Sequence, residues 1–462
     1  MSGKTKTLII TLGVLILLGG GYYGSTVWKK KKAEASSSSF ESAPRLGNLE
    51  RSEIVRIEIP DLVLEKNEEI WELVSLHGTS PPAGIELDQN HINRMLWFLS
   101  SVWAERIVDD DPADLSAYGL DESPVWAIVS DSAGTSVVYL LGDMLPSRTS
   151  YYFTEEGDPK VYSVSLHTAE NVAFTLDSIR DKSLFPAFEF HAMSRLRLEN
   201  AQTIIDLVIR PESAPPYLDV PFSTHIMTSP YRLTRSVDNQ ALYELLVPLN
   251  NLRIDEFIDD HPQSLSPYGL DRPVRFFLEI GDTSVDLLIG NRIDQAHYAK
   301  LAAEPGVFTV SGLDTIVNLN PFELVNKFAH IINIDLVDEF TISGGDMPIS
   351  AVFQGTGDDA VFFLNGKEAE TSSFKTFYQR VIGLRIDADI TDMAAGPQGA
   401  GTGNITIEFR LNTPSRAQSS ITLLPFNRDF YALRQEGTME FLISRNQIRR
   451  IFETANAVVF EP

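Results

Sequence analysis

The chain has 462 residues, 43% hydrophobic and 10% aromatic, so it can build folded cores, and its length suggests about three domains. It carries 38 basic and 63 acidic residues, a net charge of −25, and no cysteine. Disulfides, thiolate metal sites, a cysteine nucleophile and a lipoprotein anchor are thereby excluded. An acidic body also repels nucleic-acid phosphates, so nucleic acid is not an expected partner.

Residues 1–7 read as a short tail. Residues 8–28, LIITLGVLILLGGGYYGSTVW, are uncharged, and about 20 such residues span a bilayer as a helix. Tyr22, Tyr23 and Trp28 suit the headgroup boundary, and Lys29 to Lys32 stop the segment there. A signal-peptide core is the competing reading of 8–18, but no strong small-residue cleavage site follows it. Gly20 and Gly24 have the GxxxG spacing that lets a second membrane helix approach, though glycine is common in such helices anyway. Two lysines precede the span and four follow it, which by charge alone places the body in the cytoplasm. Residues 29–48 read as the basic stop and a serine-rich linker.

The body contains a duplication. Residues 88–121 align without a gap to 238–271, at an offset of 150, with 12 of 34 positions identical. Asp88 is a helix cap, and Ile92, Met95, Leu96, Leu99, Val102 and Trp103 then form one apolar stripe. Leu242, Leu245, Leu246, Leu249 and Leu252 repeat it, with Pro248 placed to kink or end the helix. Next come an acidic loop, a turn (Tyr118, Gly119, Leu120, Asp121; Tyr268, Gly269, Leu270, Asp271), and a proline, Pro124 or Pro273, opening a strand. The glycines are expected at positive φ. A worn third copy starts near Ser372, with Phe374, Phe377, Tyr378, Val381 and Leu384 at an offset of 132 from the second. It replaces the turn with a glycine-rich stretch, 393–404.

Around these modules lie alternating or apolar runs, such as 54–59, 125–129, 137–141, 204–209, 275–280, 349–353 and 405–411, which predict antiparallel strands. Gly142 and Gly290 are expected to end equivalent strands. Helices over 166–184 and 313–329, and one from Asn446, should close the copies. The fold class is therefore α+β: a transmembrane helix, then three tandem antiparallel-sheet-plus-helix repeats at 49–187, 188–334 and 335–462.

The polar feature that stands out is the acidic loop, with Asp109, Asp110 and Asp111 in one copy and Asp259 and Asp260 in the next. Such carboxylates serve as caps, as a contact for a basic partner or cation, or as a catalytic pair. Recurrence in every copy favours a shared structural task, since catalytic pairs are usually unique. The eight histidines have no HExxH spacing, and the glycines near 399 precede a strand where a phosphate loop requires a helix. No catalytic, cofactor-binding or metal-ligating residue is assigned.

The N-terminal span, the strand with Trp71-Glu72-Leu73, the amphipathic helix, the Tyr-Gly-Leu-Asp turn with its proline, and Val161-Tyr162-Ser163-Val164 together resemble the bacterial domain of unknown function 4340 family. The resemblance covers about 49–185 and, more weakly, 196–329. It implies envelope proteins encoded beside gliding-motility-type ABC transporter subunits, with no cofactor and no catalytic residues to carry over. It also implies a body outside the cytoplasmic membrane, against the reading from charge alone. The expectation is a single-pass, non-enzymatic accessory or scaffold subunit in the inner membrane, with a periplasmic body and permease or ATPase partners. An envelope glycan-binding protein or a carboxylate-dependent hydrolase is the alternative.

Overall fold

The computed structural model describes residues 44–82, 84–121, 125–170, 175–186, 188–213, 223–345, 347–355, 357–390, 403–413 and 416–462. The expected span at 8–28, with Gly20 and Gly24, and most of the glycine-rich stretch lie outside the described residues. Among the described residues no helix is long and apolar enough to cross a membrane. The body is made of antiparallel sheets with a few helices, and it divides into two compact units, 1–182 and 183–462. The second and third copies share the second unit and one continuous hydrophobic core, so only the first copy stands as a unit by itself.

Each copy builds one sheet on the same strand order, eight strands in the first and nine in the second and third, which add one at the near edge. In the first the central pair is Ile54–Ile59 beside Val125–Asp131. Leu62–Asn67 and Ile70–Leu76 extend it on one side. Ser136–Met144, Ser150–Glu155 and Val161–Ser165 extend it on the other, and Arg106–Asp109 is added at the far edge. The second sheet is centred on Met193–Glu199 beside Val274–Ile280, the third on Val337–Ser343 beside Ile405–Thr413. In all three the strand that follows the module helix sits at the far edge, as Arg106–Asp109, Glu256–Asp259 and Ala388–Asp389. The expected acidic loops thus begin as edge strands, whose signal is Ile107-Val108 and Phe257-Ile258.

A bulge recurs at the centre of each sheet. One residue is inserted between Ile54 and Arg56, between Met193 and Arg195, and between Val337 and Glu339. The extra residue changes which side chains face inward. Ile54 and Ile57 are therefore both buried, while strict alternation would have put Ile54 on the opposite face from Ile57.

The three module helices are Gln89–Leu99, Asn239–Leu246 and Thr371–Ile382. Asp88 accepts the His91 amide at 3.0 Å, and Asp238 accepts those of Gln240 and Ala241 at 2.9 and 3.3 Å. Glu370 does the same for Ser372 and Ser373 at 3.0 and 2.7 Å. The stripes Ile92, Met95, Leu96, Leu99; Leu242, Leu245, Leu246; and Phe374, Phe377, Tyr378, Val381 are buried in their cores. In the third core Phe374, at the place of Ile92 and Leu242, stacks on Phe362 at 4.7 Å between ring centres.

Several boundaries differ from the sequence expectation. The first helix stops at Leu99, and Val102–Trp103 is instead a short strand paired with Arg45–Leu46. The described fold consequently includes Pro44 to Asn48, inside the expected linker, with Leu46 buried. Pro248 ends the second α-helix at Leu246, and the chain continues as a 3₁₀ turn, Val247–Asn251. Among the described residues the closing segments of copies one and two are short helices, Leu166–Glu170 and Leu176–Ile179, then Asp314–Val317 and Pro321–Leu324. In the second copy Pro321 withholds an amide and turns Asn320 out of the helical region, which breaks the longer helix. The third copy closes with a full helix, Arg445–Asn456.

Candidate functional site

The acidic loop and the Tyr-Gly-Leu-Asp turn form one structure. Asp109 ends the edge strand, accepts the Asp111 amide at 3.1 Å, and accepts the Tyr118 hydroxyl at 2.6 Å. In the second copy Asp259 accepts the His261 amide at 3.0 Å and the Tyr268 hydroxyl at 3.3 Å. Each tyrosine ring meets a second tyrosine edge-on, Tyr152 at 5.1 Å and Tyr298 at 5.2 Å. Asp114 caps the 3₁₀ turn Leu115–Tyr118 through the Ser116 amide at 2.9 Å.

Both turns end on a left-handed glycine, Gly119 at φ 68° and Gly269 at φ 71°. Their amides donate to Ser116 O and Ser266 O at 3.1 Å, and Leu120 and Leu270 follow as buried plugs. The turn is seated on a strand bulge at Gly142 or Gly290. Those two glycines lie inside their strands, Ser136–Met144 and Thr283–Ile293, rather than ending them. A Cβ on either would come within 2.2 Å of the carbonyl of Tyr118 or Tyr268. In the third sheet the pairing of Arg416–Pro425 with Phe430–Gln435 runs without a shift, in the copy whose sequence lacks the turn.

The remaining carboxylates divide by position. Asp110, Asp111, Asp121 and Asp271 are exposed, and Asp260 is half-buried. Among the described residues no group of three or more His, Asp or Glu is placed to hold a metal ion. In the first unit Asp61 and Asp177 line one hollow of about 520 Å³. Each has a basic partner there, His77 at 3.2 Å and Lys182 at 2.8 Å.

The Tyr118 hydroxyl and then the Asp111 amide hold the Asp109 carboxyl below its ordinary range, and the same bond holds the Tyr118 hydroxyl above its own. A carboxyl whose folded pKa is depressed adds stability above the unfolded pKa of about 3.9, and that stability is lost as pH falls through the folded value. In Tyr118→Phe the midpoint of Asp109, followed by carboxyl-carbon NMR, should therefore rise toward the unfolded value. An unchanged midpoint would remove the tyrosine as its cause.

A second constellation has no local sequence signal. Within the second unit Arg235 donates to Glu440 at 2.6 Å and to Gln435 at 2.8 Å, and its guanidinium lies 4.6 Å from the Phe441 ring centre. Tyr231 donates to Asp389 at 2.9 Å, and burial first, then that carboxylate, pushes its hydroxyl pKa up. These contacts join the second copy to the third across 158 to 205 residues of chain. Of the eight histidines, His225, His297 and His330 are buried. His225 is held by Met193 O at 3.0 Å, and burial lowers its pKa.

Repeated antiparallel sheets, each crossed by one capped helix and two of them closed by a tyrosine-clamped turn, define the class of protein. The model of a domain of unknown function (DUF4340) matches residues 71–273 and again 226–395, and the chain belongs to that family. Each match runs from one copy into the next, and the second reaches through the third module helix. No curated protein and no solved structure matches the chain.

Proposed function

We propose that this protein is a membrane-anchored accessory or scaffold subunit, without catalytic activity, of an ABC-transporter-like envelope complex of the gliding type. Residues 8–28 hold it in the cytoplasmic membrane, and its body lies on the periplasmic side. The observation that carries the reading is the internal use of the recurrent polar groups. Asp109 and Asp259 hold tyrosines, and Asp88, Asp238 and Glu370 hold helix amides. Copies built for structure leave their surfaces for partners. In the first unit Trp97 and Trp103 stand 59% and 49% exposed, as large aromatics do at protein contacts.

Affinity purification of the full chain from its native membrane in mild detergent tests this. Permease and ATPase subunits should be retained in fixed stoichiometry. Recovery of the chain alone from several detergents would sink the proposal. Protease treatment of intact spheroplasts should cut the body, and full protection would place it in the cytoplasm.

A further inference from the structure

The third copy carries an arginine cluster at its final helix, whereas the arginines that line a hollow in the second copy, Arg195, Arg197 and Arg275, are paired with Asp206 and Asp286. That final helix, Arg445–Asn456, reads RNQIRRIFETAN, with three arginines and one glutamate. The first helical turns after the last strand in copies one and two, Leu166–Glu170 and Asp314–Val317, contain no arginine. Arg445 and Arg449 of this helix line an open hollow of about 540 Å³ together with Arg428, from the turn before Phe430–Gln435. Asp429 is the one acid in the lining, which leaves it two positive charges in a chain of net charge −25.

The hollow is built rather than incidental. The Arg445 guanidinium lies 4.4 Å from the Tyr431 ring centre, with Nε donating to Asn427 O at 2.9 Å. Arg449 donates to Asn446 Oδ1 at 2.6 Å and stands 3.4 Å from Glu453, where both side chains are exposed. Arg428 is exposed. Phe430 and Tyr431, both half-buried, give the hollow an apolar side. At the start of the helix the Ser444 amide donates to Asp387 Oδ2 at 2.7 Å and the Arg445 amide to Asp429 O at 2.8 Å, which leaves the guanidiniums as the donors open to a ligand.

We infer that this hollow binds a phosphoryl group carried on a ligand with an apolar part. Three guanidiniums offer more donors than a carboxylate's two oxygens can accept, and a phosphoryl dianion matches them. The apolar side takes the organic substituent. The negative field of the whole chain opposes an extended polyanion, so a single phosphoryl group is the fitting ligand. The polar groups that recur in the copies hold the fold, whereas this set occurs once, as a binding site should. The inference stands independently of the scaffold reading.

The test is calorimetric titration of the full chain in uncharged detergent with inorganic phosphate, with glycerol 3-phosphate, and with phosphatidylglycerol in mixed micelles. At least one should bind saturably. Arg428→Gln with Arg449→Gln should weaken that binding by roughly tenfold or more, whereas the exposed Arg380→Gln should not. Arg428→Glu alone should weaken it as well. Saturation by the soluble ions identifies a free phosphate or phosphoester as the source, and saturation by the lipid alone identifies a headgroup. No saturable binding of any probe, or equal binding by the double variant, would overturn the inference.

Discussion

Replacing Arg235 by methionine should destabilise the second unit by about 3–5 kcal/mol, because it leaves a buried carboxylate without its cation. The two side chains of the pair are 10% and 9% exposed. Glu440 keeps the Arg232 amide, but one amide does not offset a desolvated charge. Gln435 loses its donor in the same step. The double variant Arg235→Met with Glu440→Leu removes both charges and should recover most of the loss, since a buried ion pair is often no better than apolar packing. The tryptophan positions make the measurement specific. All five, Trp28, Trp71, Trp97, Trp103 and Trp126, precede the second unit. Urea transitions should therefore shift by circular dichroism and stay in place by tryptophan fluorescence. A loss below about 1 kcal/mol would show that the pair behaves as a solvated surface contact.

What could be read from the sequence was local and periodic. The helix stripes, the Asp88 and Asp238 caps and the left-handed glycines each follow from residues within one or two turns of chain, and the structure places all of them. The third cap is Glu370, a residue type less favoured at that position, so the stripe pointed to a start near Ser372. The edge strands are four residues or fewer, each with an acid at one or both ends, and a loop reading fits those letters equally well. The central bulges are invisible because one inserted residue leaves composition unchanged while exchanging faces. Arg235 and Glu440 lie 205 positions apart, and neither carries a mark that it meets the other. The acidic loop was legible as structural from its recurrence, yet its tyrosine partner was not. The aspartate and the tyrosine lie nine positions apart, a distance only the folded turn closes.

Gly142→Ala should be among the most damaging single-methyl additions in the chain, and Gly290→Ala should match it. A methyl at either site lands 2.2 Å from a tyrosine carbonyl, and that oxygen belongs to backbone which cannot rotate away. Relief requires the turn to lift, which exposes Leu120 or Leu270 and breaks the Asp–Tyr clamp beside it. Gly119→Val and Gly269→Val attack the same contact from the other side. Their positive φ is strained for valine, and their Cβ atoms would come within 2.9 Å of the Asp143 amide nitrogen and 2.8 Å of that of Asn291. Each of the four should cost about 1–3 kcal/mol, from the clash and the lost plug at Gly142 and Gly290 and from positive-φ strain as well at Gly119 and Gly269. The two first-copy variants should move the tryptophan transition, because the first unit holds Trp71, Trp97, Trp103 and Trp126. The two second-copy variants should move only the circular dichroism transition. Within a copy the turn glycine and the bulge glycine act on one contact, so their combined cost should fall short of the sum. Full additivity would mean that turn and bulge are independent and that the seating of one on the other is not what holds the loop.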